Sequence, residues 1–132
     1  MNLKITGIIH WILRLIAAII LLQTLFFKFS GAEESVYIFT QLNMEPWGRI
    51  GIGFMELIVS VLILYPATTG IGAVLGMGLM SGAIFFHLTK LGIIVKDDGG
   101  QLFVYAVLVF ISCFVLAVLN RKSIMHLVKS VF

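Results

Sequence analysis

A single cysteine, two prolines and only 11% charged residues occur among 132 positions, and each scarcity removes a class of function. One cysteine, Cys113, forms no intrachain disulfide, so a thiol relay built on paired cysteines is excluded. Set within an apolar run, Cys113 reads as a small buried side chain. The three histidines, His10, His87 and His126, are spaced too widely for a metal-ligand cluster. His10 and His87 fall near opposite ends of the apolar segments and do not share one haem. Phosphate-cradling glycine loops, nucleophile elbows, internal repeats and low-complexity tracts are all missing from the sequence. Catalysis through a soluble cofactor held by this chain alone is not expected, and no cofactor is expected to be built in.

What the chain has in abundance is apolar surface. At 61% hydrophobic residues and a mean hydropathy of +1.14, it has too little polar surface to coat a soluble domain of this size. Residues 8–28, 48–65, 69–88 and 101–119 each approach the roughly 20 residues needed to cross a bilayer core of about 30 Å. The expected fold is an all-α membrane protein, a four-transmembrane-helix antiparallel bundle with a longer capping loop between helices 1 and 2. Residues 1–132 read as one domain. The first apolar run follows Lys4 as a signal peptide would, but it is too long, contains Arg14 and ends without a small-residue cleavage site, so it reads as a mature helix.

The connections refine this picture. Pro66 and Gly70 make the second and third spans a tight hairpin. The first loop is long enough for a short helix across the mouth of the bundle, and the third ends in the turn signal Lys96-Asp97-Asp98-Gly99-Gly100. Residues 120–132 mix basic and apolar side chains and read as a basic interfacial tail lying along the headgroups, not as a nucleic-acid contact. Basic residues divide evenly between the two sides and do not fix orientation. Both termini are preferred cytoplasmic, because the first loop carries Glu33, Glu34 and Glu45.

Glu56 stands in the middle of the second span. An ionisable group at that depth costs a few kcal/mol or more unless a partner or a wet cavity receives it. Helical spacing gives each span one inward stripe of small or polar residues: Arg14, Ala17, Ala18, Leu21 and Lys28; Arg49, Gly53, Glu56 and Ser60; Gly72, Gly76, Met80, Ala83 and His87; Gln101, Tyr105 and Ser112. At about 1.5 Å per residue, Glu56 lies roughly 10 Å below Arg49, while Lys28 and His87 approach the same loop-rich end. The expectation is a pocket between loops one and three with Glu56 at its floor, Lys28, Arg49 and His87 at its rim, and Arg14 reaching the floor from beneath. Set against this is a purely structural reading, in which Glu56 pairs with Arg14 or Arg49 to fix helix register, and Lys28 and Arg49 snorkel to the headgroups. The spacings Gly72-x-x-x-Gly76 and Gly78-x-x-x-Gly82 both read as close helix packing, within the bundle or between protomers.

Arg14-Leu15 in span one, Phe-Lys-Phe-Ser-Gly at 27–31, a glutamate early in span two and a Gly- and Ala-rich third span ending Phe-Phe-His together resemble the DoxX family. The resemblance covers about residues 14–119 and carries Arg14, Lys28, Gly31, Glu56 and His87 over as family-like polar positions. It implies a four-helix bundle, expected in the bacterial cytoplasmic membrane, and a role as a small subunit associated with quinone-linked oxidoreductases. On that reading Arg14, Lys28, Arg49, Glu56, His87 and Tyr105 bind a quinone or similar amphiphile, and Glu56 and His87 exchange protons with it. Partners would be the bilayer, a redox subunit or a second copy of the chain. The competing expectation is a non-enzymatic membrane module that binds a lipid, a small solute or a partner protein.

Overall fold

The computed structural model describes residues 3–132, all of the regular structure being helical among them. Helix α1 spans Leu3–Phe29, α2 Glu33–Gln41, α3 Trp47–Leu64, α4 Thr69–Phe86, α5 Gln101–Leu119 and α6 Arg121–Val131. A short 3₁₀ turn, Pro66–Thr68, joins α3 to α4, and a widened turn, His87–Leu91, extends α4. Four helices of the described residues, within Lys4–Phe29, Trp47–Leu64, Pro66–Leu91 and Gln101–Leu119, are long and apolar enough to cross a membrane. These helices overlap the expected segments 8–28, 48–65, 69–88 and 101–119. The first begins five residues earlier than the sequence suggested, at Leu3 instead of position 8, because Leu3 to Gly7 contain nothing that stops a helix.

Contacts pair the long helices in reverse order. Along α1 and α3, Arg14 meets Ile63 while Lys28 meets Glu56. Along α3 and α4, Leu62 and Ile63 lie against Gly72, and Val59 against Gly76; α5 follows α4 with Cys113 against Gly76 and Asn120 against Gly70. The core runs down the middle as Ala17, Leu21, Val59, Ile63, Ala73, Val109, Cys113 and Leu116. Many large apolar residues outside it, such as Ile19, Phe26, Ile58, Val61 and Ile111, are more than half exposed, the expected outer surface of helices solvated by lipid. These helices make this a small integral membrane protein.

The two glycine pairs of α4 behave differently. A β-carbon at Gly72 would lie 2.8 Å from the Ile63 nitrogen, and one at Gly76 would lie 2.7 Å from Cys113 Sγ, so these positions let backbones approach as small residues do in membrane bundles. Gly78 and Gly82 would meet nothing within 4 Å. Within one chain the packing reading of the sequence holds for the first pair, whereas Gly78 and Gly82 face open space and are left to the other reading, contact between protomers.

The hairpin of α3 and α4 explains the chain's use of Pro66. Proline has no N–H, so the Leu62 carbonyl loses its helical donor, and the last carbonyls of α3 lack intrahelical partners. Thr68 Oγ1 donates to Leu62 O at 2.7 Å and Thr69 Oγ1 to Ile63 O at 2.9 Å. The remaining donor comes from α1. Arg14 Nε donates to Ile63 O at 2.9 Å and its Nη2 donates to Leu64 O.

Candidate functional site

A cavity of about 370 Å³ lies at the loop-rich end, lined by α1, α2, α3, α4 and α5. Its walls are mostly apolar, from Ile20 and Leu21 of α1, Ile52 and Met55 of α3, Leu79, Met80 and Phe86 of α4, and Leu102 and Ala106 of α5. Helix α2 roofs it with Ser35, Ile38 and Phe39. Helix α2 is a short helix within the first loop. Loop three ties the roof down: Lys96 Nζ is 3.1 Å from Glu33 Oε1 and 5.0 Å from the centre of the Tyr37 ring.

Few polar groups enter this apolar space, and they converge. Glu56, 3% exposed, extends from α3 toward α1, where Lys28 Nζ lies 2.9 Å from its Oε1. Thr24 Oγ1 donates to Glu56 Oε2 at 3.1 Å and stands 2.9 Å from Leu21 O. Thr24 and Lys28 are four residues apart, one turn of the same helix face, so α1 presents both to one carboxylate. The lysine uses one of its three N–H donors on Glu56.

His87 is buried at the start of the widened turn after α4 and lines the same cavity. Its Nδ1 is 3.0 Å from Gly92 O; a carbonyl only accepts, so Nδ1 carries the hydrogen of this bond. Gly92 turns the chain back with φ of +80°, a conformation that favours glycine. Phe103 meets the imidazole edge-on at 5.8 Å. Tyr105 completes the polar set from α5: its oxygen accepts from Gln101 Nε2 at 2.8 Å, which leaves the phenolic hydrogen to be donated elsewhere.

Asp98 holds the loop that carries these pieces. Its Oδ1 accepts from the Val95 and Gly100 amides at 3.0 and 2.8 Å, and Oδ2 from the Leu102 amide at 3.2 Å, capping α5. Burial works against its ionised form, but those three amides outweigh it and a charge on nearby His87 acts with them, so the carboxyl lies below its ordinary pKa. The contribution to stability is thus complete above the ordinary carboxylate range and fades as pH falls through the lowered folded value. Asp98→Ala should cost about 0.5–2 kcal/mol at neutral pH, as a lost helix cap does. Thermal unfolding from pH 7 to pH 3 checks this: the two curves should converge toward acid, and a constant gap would refute the charge-assisted cap.

Of the six positions singled out in the sequence, Lys28, Glu56, His87 and Tyr105 line the cavity. The two arginines do not. Arg14 was expected to reach the floor from beneath, but it is 2% exposed at the other end of the bundle, bonded to the α3 terminus with its guanidinium 3.8 Å from the Trp11 ring centre. Arg49 was expected at the rim facing Glu56, yet its Nε is 3.0 Å from both Glu45 carboxylate oxygens, and its Nη1 donates to the Lys28 carbonyl. Each arginine satisfies the carbonyl end of a helix, where the dipole favours a cation. Thr24 was missed, although its position one turn before Lys28 was the available signal.

The DoxX family model matches residues 9–89, which takes in more than half of the chain, with Arg14, Lys28, Glu56 and His87 inside the match. The chain belongs to the DoxX family. The cavity of this DoxX protein draws most of its lining from the matched region, while Asp98 and Tyr105 lie beyond it. No curated protein and no solved structure matches the chain.

Proposed function

We propose that this DoxX protein is a membrane subunit of a quinone-linked redox system, whose cavity binds a quinone or similar amphiphile by its polar head. The observation that carries the reading is the Lys28–Glu56 pair beside an otherwise apolar cavity. A pair whose sole task was to lock α1 to α3 has no need of open volume next to it. Pockets that combine apolar walls with a few convergent polar groups are the usual form of small-molecule sites. A small polar solute matches such walls poorly.

The residues fit a quinone. Its carbonyl oxygens are acceptors, and Lys28 and Tyr105 have donors to offer; its ring and tail match Leu79, Phe86 and Met80. Bound there, a quinone would supply oxidation and reduction, while the chain supplies hydrogen bonds, charge and exclusion of water. We assign proton exchange to Glu56 and His87, and head-group binding to these two with Lys28 and Tyr105. Arg14 and Arg49 act on the scaffold.

The bundle is proposed to cross the bacterial cytoplasmic membrane as four antiparallel spans with cytoplasmic termini. Helix α6 would then lie at the headgroups, consistent with its exposed Arg121, Lys122 and Lys129 beside exposed Met125 and Val128. A redox subunit or a second copy would complete the electron path.

Mass spectrometry of lipids extracted from the purified protein, paired with thermal unfolding in the presence of decylubiquinone, tests the reading. Co-purifying quinone and a midpoint raised by several degrees are expected, since a ligand of the native state stabilises it by mass action. Absence of both would overturn the reading, and a stoichiometric phospholipid in their place would favour the non-enzymatic module.

A further inference from the structure

We infer that the cavity is loaded from the side, from within the bilayer, through a gap between α3 and α4 that is formed by Gly78 and Gly82. The inference deepens the reading of the cavity as an amphiphile site and names the ligand's route and shape.

Three observations lead to it. Gly78 and Met55 both line the cavity and are both exposed on the outer surface, so the cavity reaches the outside between these two helices. Nothing lies within 4 Å of the β-carbon direction of Gly78 or Gly82, one helical turn apart on the same face of α4. Where α4 offers only hydrogens, the α1 and α5 side of the cavity presents Phe27 and Tyr105.

Depth decides what enters. Glu56 lies nine residues below Trp47, and Gly78 nine residues below His87, so both sit about 13 Å beneath the loop-rich ends of their helices. That is close to the middle of a hydrocarbon core about 30 Å thick. The gap therefore faces acyl chains. The aqueous side is roofed by α2, which the Lys96–Glu33 contact fastens to loop three. A ligand that is itself dissolved in lipid has the shorter path.

Volume sets the ligand's shape. At about 370 Å³ the cavity is near the small end of ligand sites, which run from about 300 to 1,000 Å³, so a long-chain lipid is not enclosed whole. The head occupies the chamber beside Lys28 and Glu56, and the tail leaves between α3 and α4 into the bilayer. Gly78 and Gly82 thus become determinants of tail passage.

The route can be tested without knowing the natural ligand. In protein carrying Cys113→Ala and Ala83→Cys, a thiol in the cavity wall would be reacted in lipid nanodiscs with N-dodecylmaleimide or with a sulfonated, membrane-impermeant maleimide, and followed by intact mass. The alkyl probe should react at least tenfold faster than the sulfonated one. Adding Gly78→Leu with Gly82→Leu should slow it at least tenfold. Gly51→Leu, another helical glycine with nothing within 4 Å but outside the cavity lining, should leave the rate unchanged. If the double leucine variant fails to fold, Met55→Trp narrows the gap from the α3 side with the same expected effect.

An unchanged rate in the narrowed variants, faster reaction with the sulfonated probe, or no reaction with the alkyl probe would overturn the lateral route. Neither probe is a quinone, so these outcomes judge the route alone. A failure of decylubiquinone to bind would instead refute the ligand assignment.

Discussion

Glu56→Gln is expected to cost the detergent-solubilised protein about 3 kcal/mol of stability, because it leaves the Lys28 ammonium beside a neutral amide in an apolar wall. The lysine side chain is 16% exposed against 4% for the glutamate, which places the expected loss at the lower end of what breaking a buried pair does. Replacing both partners, Lys28→Met with Glu56→Leu, removes the unpaired charge as well. It should return stability to within about 1 kcal/mol of the wild type, since apolar replacements of buried pairs are often neutral or stabilising. The two readings of the pair separate at this point. If it only fastens α1 to α3, the double variant is as good as the native protein in every assay. If it binds a head group, the double variant unfolds normally and no longer gains stability from decylubiquinone. Unfolding in mixed detergent micelles, with and without the quinone, measures both quantities. A double variant that still responds fully to quinone would remove Lys28 and Glu56 from the site.

Thr24 offers a finer probe of the same network. Its hydroxyl is shared between Leu21 O and Glu56 Oε2, so it steadies the carboxylate while retaining a local partner. The carboxylate is therefore held on two sides by α1 and left open on the side of the cavity. That geometry explains how an ion pair can both join two helices and face a ligand.

Glu56 was legible in the sequence because a carboxylate within an apolar run has few physical explanations. Lys28 was legible because helical spacing put it on the inward face at a suitable depth, and the inward stripe Arg14, Ala17, Ala18 and Leu21 is buried throughout. What spacing could not supply was the demand of the backbone. Counting residues along a helix gives depth and face, but it says nothing of which carbonyls a proline turn will leave without donors. Arg14 is claimed by that demand at the end of α3, and Arg49 by the end of α1 together with Glu45, only four residues before it. The open space beside Gly78 and Gly82 was equally hidden, because Gly78-x-x-x-Gly82 has the same letters as a packing motif. Only the neighbouring helix shows whether a glycine is a contact or an opening.

Arg14→Met is expected to destabilise the bundle by about 3 kcal/mol, since hydrogen bonds from a charged donor contribute about 1.5–3 kcal/mol each and the orphaned acceptor lies where water is scarce. The loss is not shared equally between the two carbonyls. Ile63 O keeps Thr69 Oγ1 at 2.9 Å, whereas Leu64 O depends on Arg14 Nη2. Arg14→Lys should therefore recover only part of the stability, because an ammonium retains the favourable charge at the helix end but not the fork that spans two successive carbonyls. Thr69→Val in the Arg14→Met background should cost more than it does alone, as both donors to Ile63 O are then gone. None of these changes touches the cavity. Stabilisation by decylubiquinone should stay within about twofold of the wild type in Arg14→Lys, measured as the shift in unfolding midpoint at saturating ligand. Loss of that response in a folded Arg14→Lys protein would return Arg14 to the binding site, and would mean that the two ends of α3 are coupled through its length.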